Sequence, residues 1–229
     1  MKLIVVANTA GGTCKTSVAH SLAAASSEYG KKTLLIDADP NASLTFLTRV
    51  ENPRFILSDV IGGSSVESST ITTSERYTFL PSSARLSGID LSGIEKLRGQ
   101  CDSFDLVIVD TPPGLTEITS HFLALADLIL IPITESFLSI RGALHIKDLA
   151  LVTAEKEIRL IAIGDGEKHF EDDLLRSDFQ RIEPTIRRDD VALANQLMGL
   201  SIVSAQPHSN LASDYRELAY SLLEELGLI

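Results

Sequence analysis

Short apolar runs recur along the chain, and each one ends in a cluster of polar residues or glycine. The clearest runs are Lys2–Ala7, Lys32–Ile36, Leu106–Val109, Leu128–Ile133 and Arg159–Ile163. They are rich in Val, Ile and Leu and lack the apolar–polar alternation of a half-exposed strand. This pattern predicts five buried strands. A shorter run, Tyr77–Leu80, predicts a further strand.

Segments with helical spacing separate these runs. Thr16–Tyr29 is rich in alanine and precedes Gly30, a typical residue for a helix end. Ser139–Lys156 and the shorter Ser92–Gln100 also predict helices, whereas Gly62–Glu75, dense in Ser, Thr and Gly, predicts a surface loop. In the C-terminal stretch one apolar helical face is expected to pack on a sheet. Its residues are Leu211, Tyr215, Leu218, Ala219, Leu222, Leu223 and Leu226.

The alternation of strands and helices predicts an α/β fold, a mostly parallel twisted sheet with helices on both faces. Without an internal repeat or a linker, residues 1–229 are expected to form a single domain. Ligands of such sheets bind at the carboxyl ends of the strands. Three polar clusters follow apolar strands, and we expect them to meet at one edge: Asn8–Ser17, Asp37–Asn41 and Asp110–Gly114.

Composition narrows the function classes. The net charge of −11 argues against a surface coated in positive charge for nucleic acid, although one basic face is compatible with it. The two cysteines, Cys14 and Cys101, have no metal-ligand spacing and favour a cytoplasmic protein. The N-terminus lacks the cleavage region of a signal peptide, and no apolar run approaches the roughly 20 residues that span a bilayer.

The first polar cluster has the features of a phosphate-binding loop. Glycines at its centre allow successive backbone amides to point at phosphate oxygens, and the following helix adds a partial positive charge. Lys15 is expected along the β- and γ-phosphates, with the Thr16 hydroxyl on Mg²⁺. The expected nucleotide contacts are Gly11, Gly12, Thr13, Cys14, Lys15, Thr16 and Ser17. The alternative is a tight turn with an incidental lysine and threonine.

The loop departs from the standard pattern G-x-x-x-x-G-K-[ST]. Thr9 and Cys14 stand at its two glycine positions. A Cβ at Cys14 is expected either to crowd the turn or to require ordinary φ values.

The two acidic clusters supply carboxylates at the same edge. Asp37 and Asp39 are alternate residues, so both can face the phosphates, one holding a Mg²⁺-bound water and the other orienting the attacking water. Asp110, at the end of the third strand, is a further Mg²⁺-supporting carboxylate. Each cluster alone is compatible with a turn built on Asp and Pro. Their coincidence with the phosphate loop favours the functional interpretation.

The chain resembles the ParA/MinD family of deviant Walker-A ATPases. The family loop N-x-K-G-G-x-G-K-T-[ST] is matched by NTAGGTCKTS from Asn8 to Ser17, and its D-x-D-P-Q turn by Asp37–Asn41. The family segment Y-D-x-x-x-x-D-x-P-P is matched from Phe104 to Pro113. The likeness covers nearly the whole chain and is weakest between residues 50 and 100.

The resemblance implies roles for these residues. Lys15 would bind the phosphates of ATP, Thr16 and Asp37 would support Mg²⁺, Asp39 would polarise the hydrolytic water, and Asp110 would support the metal indirectly. Asp165 falls near the position of an adenine-reading asparagine. Family members form an ATP-dependent sandwich homodimer that binds non-specific DNA or a membrane. With an adaptor protein that stimulates hydrolysis, they position a plasmid, a chromosome or a protein cargo.

One departure from the family concerns its signature lysine, which is Ala10 here. Three interpretations stand. Arg141 or Lys147 substitutes for it, or hydrolysis is slow or absent, or the alanine is an engineered change. Loss of this lysine suggests the carboxysome-positioning branch.

The main hypothesis is therefore a cytoplasmic, nucleoid-associated ATPase. The alternatives are a nucleotide-binding pseudo-ATPase and a metabolic ATP-dependent synthetase. A MinD-like membrane switch is disfavoured because the last helix carries one arginine against four acids. The nitrogenase iron protein is disfavoured because Cys101 alone cannot hold a cluster. A basic stripe for DNA would use Arg176, Arg181, Arg187 and Arg188, unless nearby acids pair with them.

Overall fold

The strands form one sheet in the computed structural model, which describes residues 1–153, 156–171, 179–189 and 199–229. They are β1 Lys2–Val6, β2 Thr33–Asp37, β3 Ile71–Thr72, β4 Thr78–Leu80, β5 Leu106–Asp110, β6 Leu128–Ile133, β7 Glu157–Ala162 and β8 Gln180–Arg181. Their order across the sheet is β3-β4-β2-β5-β1-β6-β7-β8. All neighbouring pairs are parallel except β3 with β4. The predicted mostly parallel sheet is confirmed.

Helices cover both faces of this sheet. In the described residues they are α1 Lys15–Glu28, α2 Ser43–Leu47, α3 Leu57–Ile61, α4 Val66–Ser69, α5 Leu97–Gln100, α6 Glu117–Leu125, α7 Phe137–Thr153, α8 Ile202–Ala205 and α9 Asn210–Glu225. Leu3 and Val5 of β1 belong to the apolar core that includes residues of α3, α6 and α7, whereas Ile4 and Val6 belong to the core under α1 and α9. The alternation of side chains along a strand thus feeds two cores, which is why the strands are apolar throughout.

Two sequence predictions need correction. The stretch Gly62–Glu75 is not simply a loop, since it contains α4 and the edge strand β3. Ser65 caps α4 by accepting a hydrogen bond from the Ser68 amide, and Val66 is buried. The predicted helix Ser92–Gln100 is divided into a 3-10 turn, Ser92–Lys96, and α5. No described helix combines the length and the apolar character needed to cross a bilayer.

The three polar clusters do meet at one edge of the sheet. Asp37 and Asp110, the last residues of β2 and β5, are register partners, and Val6 at the end of β1 pairs with Asp110. The loop between β1 and α1 therefore lies beside both acidic turns.

Candidate functional site

The loop between β1 and α1 surrounds a cavity of about 370 Å³. The cavity is lined by Gly11, Gly12, Thr13, Cys14, Lys15, Thr16, Ser17, Asp39, Asn41, Ser43, Thr111 and Pro113. The seven loop residues predicted to contact the nucleotide are all in this set. A Cβ added at Gly11 or Gly12 would meet no atom within 4 Å, so the backbone at the glycines faces open space. Such a backbone is suited to the close approach of an anion.

Cys14 has a left-handed backbone conformation, which glycine adopts most easily. Its φ is 63°, in the left-handed region, and it directly precedes the first turn of α1. The expectation that a Cβ here would require an ordinary φ is wrong. A non-glycine residue in this conformation is strained by roughly 1–2 kcal/mol. The rest of the loop thus determines the backbone at Cys14.

Lys15 points into the site from the first turn of α1. Its side chain is nearly buried, and its Nζ donates a hydrogen bond of 2.9 Å to the carbonyl of Ala10. Burial lowers the pKa of Lys15, and the carboxylates of Asp110 and Asp39 oppose this shift. The ammonium is thus held inside the loop, next to both acidic turns.

Asp37 is fully buried and holds the acidic turn together. One of its oxygens accepts hydrogen bonds from the amide and hydroxyl of Thr45, at 2.9 and 2.7 Å, and the other accepts from the Asp39 amide at 3.0 Å. Burial raises the pKa of Asp37 to about 6, although these hydrogen bonds oppose the shift. Sequence analysis missed Thr45, which α2 brings back onto Asp37. The available signal was a threonine one helical turn beyond the acidic turn.

Asp39 reaches the cavity itself. Its Oδ1 accepts from the amide of Asn41 at 2.8 Å and from the Asn41 side chain at 3.0 Å. Asn41 stands in the place of the glutamine in the family turn, and here it fixes the orientation of the Asp39 carboxylate.

Asp110 has an acceptor that the chain leaves unused. The residue is 1 % exposed, and its Oδ1 has no hydrogen-bond partner within the described part of the chain. Burial raises the pKa of Asp110, and so does the neighbouring Asp37, while a hydrogen bond from Thr16 opposes the shift. A buried carboxylate oxygen without a donor costs free energy until a proton or a cation binds it.

The set of donors fits Mg²⁺. Asp39 and Asp110 act on the ammonium of Lys15, and Asp37 lies next to Asp110, so the site has an excess of negative charge. Within the described residues no three His, Cys, Asp or Glu side chains form a complete metal site. Mg²⁺ usually keeps several waters and binds one or two carboxylates together with substrate phosphates.

Asn8 ties the phosphate loop to the neighbouring elements. Its side-chain amide donates to the carbonyls of Pro132 and Ser139, both at 2.9 Å, and its Oδ1 accepts from the Ala10 amide at 2.9 Å. Gly142 of α7 packs directly against it. A Cβ at Gly142 would lie 2.0 Å from Asn8 Oδ1 and 2.9 Å from the Ala10 nitrogen.

We therefore expect Gly142→Ala to displace Asn8 and distort the loop. The chain should lose about 1–3 kcal/mol of unfolding free energy and bind ATP more weakly, as measured by thermal unfolding and by titration with a fluorescent ATP analogue. Gly99→Ala is the matched control, because Gly99 is an exposed helical glycine whose added Cβ meets nothing within 4 Å. Equal nucleotide affinity in the two variants would contradict this prediction.

Asp165 lies beside a second, larger cavity. It follows β7 in the 3-10 turn Gly164–Glu171, and its exposed carboxylate pairs with Lys168 at 2.7 Å. The cavity, of about 810 Å³, is lined by Glu135, Gly164, Asp165, Glu167, Thr185, Arg187 and Arg188. Asp165 does not line the cavity of the phosphate loop.

The predicted basic stripe is largely neutralised by acids. Arg181 pairs with Glu183 at 2.9 Å, Arg187 with Asp214 at 3.4 Å, and Arg188 with Glu135 at 2.9 Å. Arg176 lies outside the described residues. Two of these partners, Asp214 and Glu135, are distant in sequence from the arginines that they pair with.

Of the two candidate substitutes for the signature lysine, Arg141 lies near Ala10. Arg141 and Ala10 line the same cavity of about 300 Å³. The other residues lining it are Thr9, Gly11, Ser136, Leu138, Gly142 and His145. Lys147 instead lies over the ring of Phe179, with its Nζ 5.3 Å from the ring centroid.

Comparison with known proteins identifies the class. A family profile described as an AAA domain matches residues 1–161. An uncharacterised ATP-binding protein of Methanocaldococcus jannaschii is 34 % identical over 154 residues, which cover 65 % of this chain and 59 % of that relative. The chromosome-partitioning ATPase Soj of Thermus thermophilus is 28 % identical over 247 residues, 97 % of this chain and 96 % of Soj.

Solved structures share the fold. Cobyrinic acid a,c-diamide synthase of Mycobacterium smegmatis, with bound ADP and magnesium, has a TM-score of 0.82 at 23 % identity, over 99 % of this chain and 95 % of that one. The MinC:MinD cell division protein complex of Aquifex aeolicus has a TM-score of 0.84 at 21 % identity, over 98 % and 96 %. The chain belongs to the AAA domain family and, within it, to the ParA/MinD-type P-loop ATPases.

Proposed function

We propose that the chain binds and slowly hydrolyses Mg²⁺-ATP, and that ATP switches it between a monomer and a homodimer. The observation that carries the proposal is the position of Lys15 and Asp39 on the cavity of a glycine-rich loop at a helix N-terminus, with the buried carboxylate of Asp110 acting on Lys15 from behind. The triphosphate would lie on the loop amides with Lys15 as counter-ion. Thr16 would hold Mg²⁺ together with Asp110 rather than with Asp37 as the resemblance implies, because both oxygens of Asp37 already accept hydrogen bonds while Oδ1 of Asp110 has no donor in the described chain. The metal would neutralise charge on the phosphates.

Asp39 is proposed as the residue that orients the attacking water. Its carboxylate lines the cavity and is fixed by Asn41, as a positioning group requires. The base of the nucleotide would occupy the cavity beside Asp165, which also follows a parallel strand.

The cellular role that we propose is ParA-like positioning of a cargo, a plasmid, a chromosome or a protein compartment, through an adaptor protein. The likeness to Soj over nearly the whole chain supports it. In this proposal the ATP-bound dimer binds non-specific DNA and so associates with the nucleoid. Arg187 and Arg188 have half-exposed side chains, and their contribution to DNA binding would compete with their ion pairs.

The decisive experiment compares the chain with its Asp39→Ala variant. We expect the variant to bind ATP but to hydrolyse it roughly 100-fold more slowly, because a positioned water-orienting group contributes about that factor. Phosphate release measures turnover, and size-exclusion chromatography with ATP or ADP measures the fraction of dimer. The ATP-bound dimer should have a longer lifetime in the variant. Asp102→Ala, at an exposed position, is the control.

Three results would count against the proposal. An unchanged turnover in Asp39→Ala would remove the assigned role of Asp39. An oligomeric state that is the same with ATP and ADP would remove the switch. DNA retention that needs no ATP, or is insensitive to salt, would exclude the nucleoid step. Turnover that instead depends on a carboxylic acid acceptor would favour the synthetase alternative.

A further inference from the structure

The strand β4 leads a serine to the edge of the sheet where the proposed site lies. β4 is parallel to β2, and Ile36 and Leu80, near the ends of the two strands, are register partners. The chain continues from β4 through Pro81 to Ser82, which is 2 % exposed. Because the carboxyl ends of parallel strands meet at one edge, Ser82 lies beside the acidic turn that follows β2.

Ser82 binds the acidic turn through both its side chain and its backbone. Its hydroxyl donates a hydrogen bond of 2.8 Å to the backbone carbonyl of Asp39. Its amide donates a hydrogen bond of 2.9 Å to the hydroxyl of Thr45. The same Thr45 hydroxyl donates to Asp37 at 2.7 Å, and Asp37 also accepts from the Asp39 amide. These four residues therefore form a closed ring of hydrogen bonds.

The ring fixes the direction of each of its hydrogen bonds. An ionised carboxylate only accepts and a backbone amide only donates, so the Thr45 hydroxyl gives its proton to Asp37 and accepts from Ser82. A carbonyl only accepts, so the Ser82 hydroxyl is the donor to Asp39. Ser82→Ala therefore keeps the amide bond to Thr45 and removes only the bond to the Asp39 carbonyl.

The bond from the Ser82 hydroxyl acts on the residue whose side chain enters the cavity. Asp39 lines the cavity of the phosphate loop, whereas Ser82 does not. The Asp39 carbonyl also accepts from the amide of Ala42 at 2.8 Å, and Ala42 has a φ of 53°, a strained conformation for a residue with a Cβ. A strained turn persists only when surrounding contacts hold it. Ser82 provides such a contact from a neighbouring strand.

We propose that Ser82 is a positioning residue for ATP hydrolysis. Its hydroxyl holds the backbone of Asp39 and so determines where the Asp39 carboxylate orients the attacking water. The inference rests on the proposed role of Asp39. A group with such a role must be held within about 0.5 Å of its working position. Asn41 fixes the carboxylate of Asp39, and Ser82 fixes its backbone.

Steady-state kinetics of Ser82→Ala tests the inference. We expect kcat to fall about tenfold, less than the roughly 100-fold loss for Asp39→Ala, because the carboxylate remains but is misplaced. KM should stay within about twofold, since Ser82 does not line the cavity. The matched control is Ser83→Ala, which should leave both constants unchanged. Ser83 instead caps the 3-10 turn Ala84–Leu86, where its hydroxyl accepts from the Arg85 amide.

A double-mutant cycle separates positioning from a loss of stability. In the Asp39→Ala background no carboxylate is left to position, so the addition of Ser82→Ala should change kcat by less than about twofold. A general weakening of the fold would instead lower kcat by the same factor in both backgrounds. Thermal unfolding checks that each variant is folded at the temperature of the assay.

Hydrogen exchange tests the same bond without turnover. The amides of Asn41 and Ala42 donate to Asp39 within the turn that Ser82 holds. In Ser82→Ala they should exchange about fivefold faster than in Ser83→Ala, the effect of one lost hydrogen bond on the local opening of the turn.

The outcomes separate this inference from the proposed function. If Asp39→Ala slows turnover and Ser82→Ala does not, or if Ser82→Ala raises KM instead of lowering kcat, the positioning role is wrong and the proposed hydrolysis stands. If the effects of the two substitutions multiply, Ser82 serves stability alone and the inference is also wrong. If the chain hydrolyses no ATP, or if Asp39→Ala has normal turnover, the proposed role of Asp39 and the positioning role fail together. Hydrogen exchange then decides only whether Ser82 holds the turn.

Discussion

Lys15→Ala is expected to reduce kcat/KM for ATP hydrolysis by about 1000-fold, the loss typical of removing a preorganised charge from the reacting groups. Two effects add. The triphosphate loses its counter-ion, and the carboxylates of Asp110 and Asp39 lose the ammonium that offsets their charge. The remaining field then repels the nucleotide. Steady-state kinetics measures the loss of kcat/KM, and titration with a fluorescent ATP analogue measures how much of it comes from weaker nucleotide binding.

The control for this substitution is Lys96→Ala, which removes an exposed lysine from the 3-10 turn Ser92–Lys96. It should leave turnover within about twofold, because surface substitutions away from the site usually have small effects. Thermal unfolding without nucleotide checks that Lys15→Ala is folded. If a folded Lys15→Ala chain hydrolyses ATP at a comparable rate, the phosphate site has been assigned to the wrong loop.

Glu75→Ala should be the most destabilising of the substitutions considered, at about 3 kcal/mol or more. Glu75 accepts hydrogen bonds from the amide of Ser201 at 3.1 Å and from its hydroxyl, and lies 3.3 Å from Nε2 of the fully buried His20. The same His20 nitrogen is 2.8 Å from the hydroxyl of Tyr77. Removal of the carboxylate leaves several buried polar groups without their partner.

Urea unfolding measures this effect, with Glu95→Ala at an exposed position as control. Glu75→Gln should lie between the two, because its amide oxygen still accepts a hydrogen bond from Ser201 while the charge beside His20 is lost. A loss below about 1 kcal/mol in Glu75→Ala would show that water replaces the missing partner.

The same cluster predicts a pH dependence. Burial alone would raise the pKa of Glu75, but hydrogen bonds and charge from His20, with hydrogen bonds from Ser201 and Ser204, lower it overall. A carboxylate with a lowered folded-state pKa stabilises the fold fully above the ordinary pKa of glutamate, and this contribution is lost as the pH falls through the lowered value. The urea midpoint is measured between pH 3 and 7 for the unmodified chain and for Glu75→Gln. The loss of stability that comes from protonation of Glu75 should appear in the unmodified chain only.

The parts of the fold that the sequence predicts are those with strong local signals. The five main strands are buried on both faces and therefore read as continuous apolar runs, and the polar clusters after three of them mark the edge where the site forms. β3 and β8 span two residues each, and α2 and α3 five each, which is too short for a periodic pattern.

The site was predictable where contacts are local and unpredictable where packing creates them. The predicted loop residues that line the cavity are consecutive in the chain, whereas the contact of Asp37 with Thr45, which sequence analysis missed, depends on α2 folding back onto the acidic turn. The contact of Glu75 with Ser201 spans 126 residues and buries polar side chains that composition alone would place at the surface. Likewise, only the packing of α7 on β6 shows that Arg141, not Lys147, borders Ala10.

The ends of the sheet have a consequence for a chain that is to meet copies of itself. Among the described residues both outer strands, β3 and β8, are only two residues long. A long unpaired strand would offer its free amides and carbonyls as a template for extending the sheet into another molecule, the usual first step of β-aggregation. Because the described outer strands expose so few free amides and carbonyls, we expect two molecules to associate through side chains instead. A bound ligand can control and reverse an association of that kind.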